Sequence, residues 1–193
     1  MRFFSAAVTI ALLLVGVAWA QQPAAADRGQ VCKDMEKMTY SMLKVTSPAF
    51  DDNGRIPAKF TADGDDMSPP LQWSGASDSV AQYAIIVDDP DAPGGVFTHW
   101  VIYGIPGSYD HLDAGVRQES ELDNGAMQGP NHMGNIGYNG PSPPKGKPHR
   151  YIFTVYALDA KLDLPAGISK EELIKAMQGH IVSEGKLTGL YGR

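Results

Sequence analysis

Apolar and polar residues alternate with a period of two in the longest regular stretch of this chain, His149–Leu158. His149, Tyr151, Phe153, Val155 and Ala157 share one face of a strand; Arg150, Ile152, Thr154, Tyr156 and Leu158 share the other. Tyr83–Val87 is apolar throughout, which predicts a central strand buried on both faces. His99–Ile105 predicts its neighbour. Strict alternation there places His99, Val101, Tyr103 and Ile105 on one face, and Trp100 and Ile102 on the other. Shorter extended pieces are expected at Val45–Phe50, Leu71–Trp73 and Leu187–Arg193.

Helical spacing occurs twice. Val31, Met35, Met38 and Met42 form a stripe that predicts a short amphipathic helix over Val31–Leu43. Ser169 and Glu172 form a capping box ahead of Leu173, Met177 and His180, a helix expected to run to His180 or a little beyond. The connections differ in character. Thr61–Pro70 carries Asp63, Asp65 and Asp66 without calcium-loop spacing, and reads as a solvated turn. Ser108–Gly129 is polar and irregular, a surface excursion. Gly129–Pro144 is too dense in Gly, Asn and Pro for helix or long strand, so it must pack by its turns. The prediction is a mainly β fold: antiparallel sheets packed face to face in a β-sandwich-like architecture, with one C-terminal helix and a short N-terminal helix.

The first residues change the picture of where this fold works. Arg2, the apolar run Val8–Val17 and Ala18-Trp19-Ala20 predict a cleaved signal peptide over residues 1–20, too short in its apolar core for a membrane span. The mature protein is therefore expected to be exported, periplasmic or secreted, with no membrane span. Residues 21–43 form a tail and short helix, and residues 44–193 the domain. Cys32 is the only cysteine and follows no lipoprotein-type box. It excludes an internal disulfide and leaves a free thiol or an intermolecular bridge. A formal net charge of −6 without a Lys/Arg cluster argues against nucleic acid and anionic membrane surfaces. The Met stripe offers a contact for a homodimer.

Chemistry concentrates in Asp88-Asp89-Pro90-Asp91-Ala92-Pro93, where two prolines enforce a stiff turn, and in two strands that each begin with a histidine, His99 and His149. Imidazoles beside Asp89, Asp91 and the Ser142-Pro143-Pro144 turn would present N–H donors to a small anion or a zwitterion. Each histidine alone is equally a half-buried strand residue bonded to a carbonyl. A metal site is compatible in residue type but has no close-spaced ligand pair, so neither metal nor cofactor is expected. Ser142 sits in no Gly-x-Ser-x-Gly elbow, which argues against nucleophilic catalysis. The alternative enzyme reading is a metal-assisted or acid–base hydrolase using the same His/Asp pocket.

Asp89-Pro90-Asp91-Ala92-Pro93 with His99-Trp100, then Gly140-Pro141-Ser142-Pro143-Pro144-Lys145-Gly146 and His149-Arg150-Tyr151, resemble the phosphatidylethanolamine-binding protein family, in its bacterial Raf kinase inhibitor-like branch. Asp63-Gly64, Ser68-Pro69-Pro70-Leu71-Gln72-Trp73, Gly137-Tyr138 and the ending Leu187–Arg193 extend the likeness over about Lys44 to Arg193. The resemblance implies a β-sandwich-like fold with a small anion pocket beside the Asp-Pro-Asp loop, formed by Asp89, Pro90, His99, Ser142, Pro143, His149 and Tyr151. It also implies a binding function without established enzyme activity: phosphate-type head groups as ligands, and a partner protein to inhibit or modulate. Ala62 and Ser142 stand where bacterial relatives are expected to carry Cys, which removes thiol chemistry from both. The short stretch between Pro93 and His99 is expected to contribute no aromatic to the pocket.

Overall fold

The computed structural model describes residues 42–193; the expected export signal, the Ala/Pro-rich tail, Cys32 and most of the Val31–Leu43 helix lie outside them. At the end of that expected helix, Leu43 is not helical but buried, and its N–H donates to the Glu184 carbonyl at 3.0 Å.

Nine strands and one α-helix follow. They are β1 (Lys44–Thr46), β2 (Gly54–Arg55), β3 (Leu71–Ser74), β4 (Gln82–Asp89), β5 (Phe97–Pro106), β6 (His111–Leu112), β7 (Met127–Gln128), β8 (His149–Leu158), α1 (Lys170–Met177) and β9 (Ile181–Tyr191). One sheet has the order β2-β9-β8-β4-β5-β7 and the other β1-β3-β6. Every pairing is antiparallel except β2 with β9. The fold is mainly β with a single α-helix, and a 3-10 turn at Ala58–Phe60, among the described residues.

The larger sheet is apolar on both faces, as the uninterrupted run in β4 predicts. On one side Ile85, Val87, Trp100, Ile102, Phe153 and Val155 meet Val45, Leu71 and Trp73 of the smaller sheet. On the other side Ala84, Ile86, Val101, Tyr103 and Leu158 meet Leu173 and Met177 of α1. Full burial of a side chain such as Ile85 or Phe153 contributes about 1.5–3 kcal/mol.

Several local expectations are corrected. The first strand ends at Thr46 rather than Phe50, because Ser47 Oγ turns to donate to Pro70 O (2.6 Å) and accept from Ala49 N (3.1 Å). The helix ends at Met177, where Gly179 at φ +81° turns the chain into β9. The C-terminal piece is an eleven-residue strand, paired with β8 along its length. Ser108–Gly129 is not merely surface. Gln128 is fully buried; its amide NH₂ donates to the Arg117 and Glu119 carbonyls, and its Oε1 accepts from the Trp100 indole.

Strict alternation also fails twice in β5. Ile105 packs with Trp100 and Ile102 rather than with Val101, because β5 has an extra residue between Ile105 and Ile102 and Gly104 sits at φ +69°. A second extra residue, His99, stands between the pairs Val87–Trp100 and Asp88–Thr98. That bulge turns the His99 ring to the Tyr151 side, 5.1 Å between ring centres, away from the face it shares with Val101 in an unbroken strand.

Candidate functional site

Antiparallel pairing explains why two histidine-led strands meet. β4 lies between β5 and β8, so its C-terminal end, Asp89, adjoins the N-terminal ends of both. His99, His149 and Tyr151 thus come to the edge of one cavity of about 380 Å³. The Gly/Asn/Pro loop closes its far wall with Asn139, Gly140, Ser142 and Pro143. Gly140 is required there: a Cβ would lie 2.7 Å from Thr61 Cα and 2.8 Å from Ala62 N.

Both imidazoles have one nitrogen committed. His149 Nδ1–H donates to Asp89 Oδ2 at 2.7 Å, while Asp89 Oδ1 accepts from Asp91 N at 2.8 Å. His99 Nδ1–H donates to the Asn139 carbonyl at 2.6 Å, because a carbonyl oxygen only accepts. Burial pushes the His99 pKa down, against the opposing pull of that carbonyl and of Asp89, Asp88 and Asp66. The ring is accordingly neutral at pH 7, and its Nε2 offers a lone pair. This corrects the expectation that either histidine presents an N–H whatever its state. Tyr151 is buried beside them, and burial, then Asp89, pushes its hydroxyl pKa up, so it stays a phenol.

The acids of the Asp88–Pro93 turn serve three different partners. Asp88 accepts from Lys170 Nζ (2.7 and 2.8 Å) and Thr98 Oγ1 (2.8 Å), which ties the start of α1 to the sheet. Asp91 forms a two-point pair with Arg150, Nε to Oδ2 at 2.8 Å and Nη2 to Oδ1 at 2.7 Å, which holds its pKa at about 2. Only Asp89 lines the cavity. The acids of Thr61–Pro70 are likewise more than a solvated turn. Asp66 Oδ1 accepts from Gly140 N at 2.5 Å, and Asp63 pairs with Arg193 and with Tyr191 Oη (2.8 Å). Asp66 thus ties the Thr61–Pro70 loop to the far wall, and Asp63 ties it to the C-terminal residues.

Of the predicted set, Asp89, His99, Ser142, Pro143, His149 and Tyr151 line the one cavity; Pro90 does not. Pro90 instead restricts the turn that aims Asp89 and Asp91. Phe97, Met133 and Asn139 also line it. Phe97 corrects the expectation of no aromatic between Pro93 and His99: its ring centre is 4.9 Å from that of His99. Met133 is an apolar side chain in the Gly/Asn loop that the sequence pattern does not single out; it is exposed, and Asn131 Oδ1 accepts its N–H. Ser142 makes no hydrogen bond to either imidazole among the described residues, and no three His, Cys, Asp or Glu side chains there converge as a metal-ligand set.

A cavity at the strand ends of a two-sheet β fold, with a few fixed polar groups among apolar ones, defines the class: a small-ligand-binding module. The sequence profile described as phosphatidylethanolamine-binding protein matches residues 46–192. A UPF0098 protein of Methanothermobacter thermautotrophicus is 48% identical over 151 residues, 78% of this chain and 99% of its own length. A phosphatidylethanolamine-binding protein homolog of Chlamydia trachomatis superposes with a TM-score of 0.73 at 36% identity, over 79% of this chain and 99% of that one. E. coli YbcL, described as a member of the mammalian family, gives 0.72 at 30% identity, over 78% and 98%. The chain belongs to the phosphatidylethanolamine-binding protein family.

Proposed function

We propose that this chain is a non-enzymatic binding module whose pocket takes a small anionic ligand: a phosphate-type head group, free or on a partner protein that it inhibits or modulates. The observation that carries this reading is the pair of imidazoles whose Nδ1 atoms are already bonded, to Asp89 and to Asn139. Their Nε2 atoms are what each ring has left for a ligand. His99, neutral, accepts a hydrogen bond, so the favoured ligand brings its own proton, as the P–OH of a singly protonated phosphate does. The Tyr151 phenol and the Ser142 hydroxyl supply donors to the remaining oxygens. Ser142 without a bonded base gives no support to hydrolysis. The export signal expected over residues 1–20 supports a site of action in the periplasm or outside the cell.

The test is an NMR titration of the protein at pH 7 with inorganic phosphate and with phosphoethanolamine, following the ring signals of His99 and His149. Saturable shifts in both rings are expected, and Tyr151→Phe should weaken binding about tenfold, the equivalent of one hydrogen bond. Unmoved rings with either compound overturn the reading.

A further inference from the structure

A second cavity of about 430 Å³ adjoins the pocket and shares Pro144 and His149 with it. Its charged groups are Asp91, Lys145, Lys147 and Arg150. Asp91 and Arg150 neutralise each other in their two-point pair. Lys145 and Lys147 are exposed and make no ion pair among the described residues. The pocket itself is lined by no lysine or arginine; its charged or titratable groups are Asp89, the two imidazoles and the Tyr151 phenol. One cavity thus holds hydrogen-bonding groups without a permanent cation, and its neighbour holds two permanent cations without a counter-charge.

The lysine loop is packed at its Pro148 end. Pro144 and Pro148 bracket it, and Gly192 packs so closely that a Cβ there would lie 2.9 Å from Pro148 Cα. The C-terminal residues therefore back that end of the loop.

We infer that Lys145 and Lys147 form a second anion subsite, so that the pocket's occupant carries two linked phosphate-type groups, one beside His99 and His149 and one between the lysines. This rests on the anion reading of the pocket. A diphosphate or bisphosphate is the chemical class: the first group brings the ligand, and the tether raises the effective concentration of the second at the lysines.

The probes are inorganic phosphate and tripolyphosphate, titrated by calorimetry and by the His99 and His149 ring signals, against wild type, Lys145→Gln/Lys147→Gln and Lys161→Gln/Lys175→Gln. The last pair removes equal charge outside both cavities. Tripolyphosphate is expected to bind at least about tenfold tighter than phosphate. That gain should vanish in the first double variant and persist in the second, with phosphate affinity little changed. If phosphate moves both rings but tripolyphosphate gains nothing, the second subsite is wrong and the pocket reading stands. An equal loss of gain in both double variants overturns the subsite as general charge attraction. If neither anion binds, both readings fall.

Discussion

Asp89→Asn isolates what holds the pocket's geometry. The carboxylate is buried, and each oxygen has one donor: Oδ1 the Asp91 N–H, Oδ2 the His149 Nδ1–H. A carboxamide fits the same space but accepts through one oxygen only. The Asp91 amide cannot move its proton, whereas an imidazole can shift its own from Nδ1 to Nε2. The oxygen should therefore stay with Asp91, and the new NH₂ should donate to a deprotonated Nδ1 of His149. One charge-assisted hydrogen bond of about 1.5–3 kcal/mol becomes a neutral one of about 0.5–1.5 kcal/mol, so the expected loss of stability is about 1–2 kcal/mol. Asp89→Ala leaves both donors unpaired at a buried position and should lose about 3–5 kcal/mol.

Urea unfolding followed by the fluorescence of the buried Trp73 and Trp100 measures both losses as midpoint shifts at constant slope. The ¹⁵N shifts of the His149 ring, recorded where it is neutral, report the tautomer. An Nδ1–H tautomer that persists in Asp89→Asn would refute the claim that the carboxylate selects it. Equal destabilisation by both substitutions would refute the assignment of one donor to each oxygen.

Two further outcomes are expected. The Arg193 guanidinium, then the Tyr191 hydroxyl, hold the Asp63 pKa at about 2, below its ordinary 3.8. A carboxyl depressed on folding adds stability above its unfolded pKa that fades as pH falls toward its folded one. Arg193→Ala should raise the Asp63 pKa toward the ordinary value in a carboxyl-carbon NMR titration. The stability advantage of wild type over this variant should shrink between about pH 4 and pH 2. Separately, Gly140→Ala forces a methyl against Thr61 and Ala62 and should cost about 1–3 kcal/mol in urea unfolding. It should also change the amide shift of Asn139, the neighbour whose carbonyl holds His99; an unchanged midpoint and shift would show the wall has room.

Much of this was legible in residues that act locally. The alternation of β8 places His149 and Tyr151 on one face without any partner strand, since the pleat alone sets that period. The Ser169–Glu172 box starts α1 at Lys170, because both hydrogen bonds lie within one turn. Six of the seven pocket residues named from sequence line one cavity because the motifs mark strand ends and a proline-stiffened loop. Features set by pairing between strands were not legible. The bulge that reverses His99 exists only relative to β4, and the Asn139 carbonyl that fixes its tautomer is a backbone atom with no signature of its own. Asp66 looked like a solvent acid until Gly140 N, 74 residues away, supplied its partner.

The amino-acid sequence by itself determined that the segments of β4, β5 and β8 are strands, which turns are rigid, and that acids and imidazoles stand at their ends, because those properties follow from side-chain period, proline and glycine. Tertiary structure decided which of these groups share a cavity, which acids are already neutralised and which nitrogen of each histidine is left. Those outcomes depend on register and burial, and both arise only when β4 is flanked by β5 and β8.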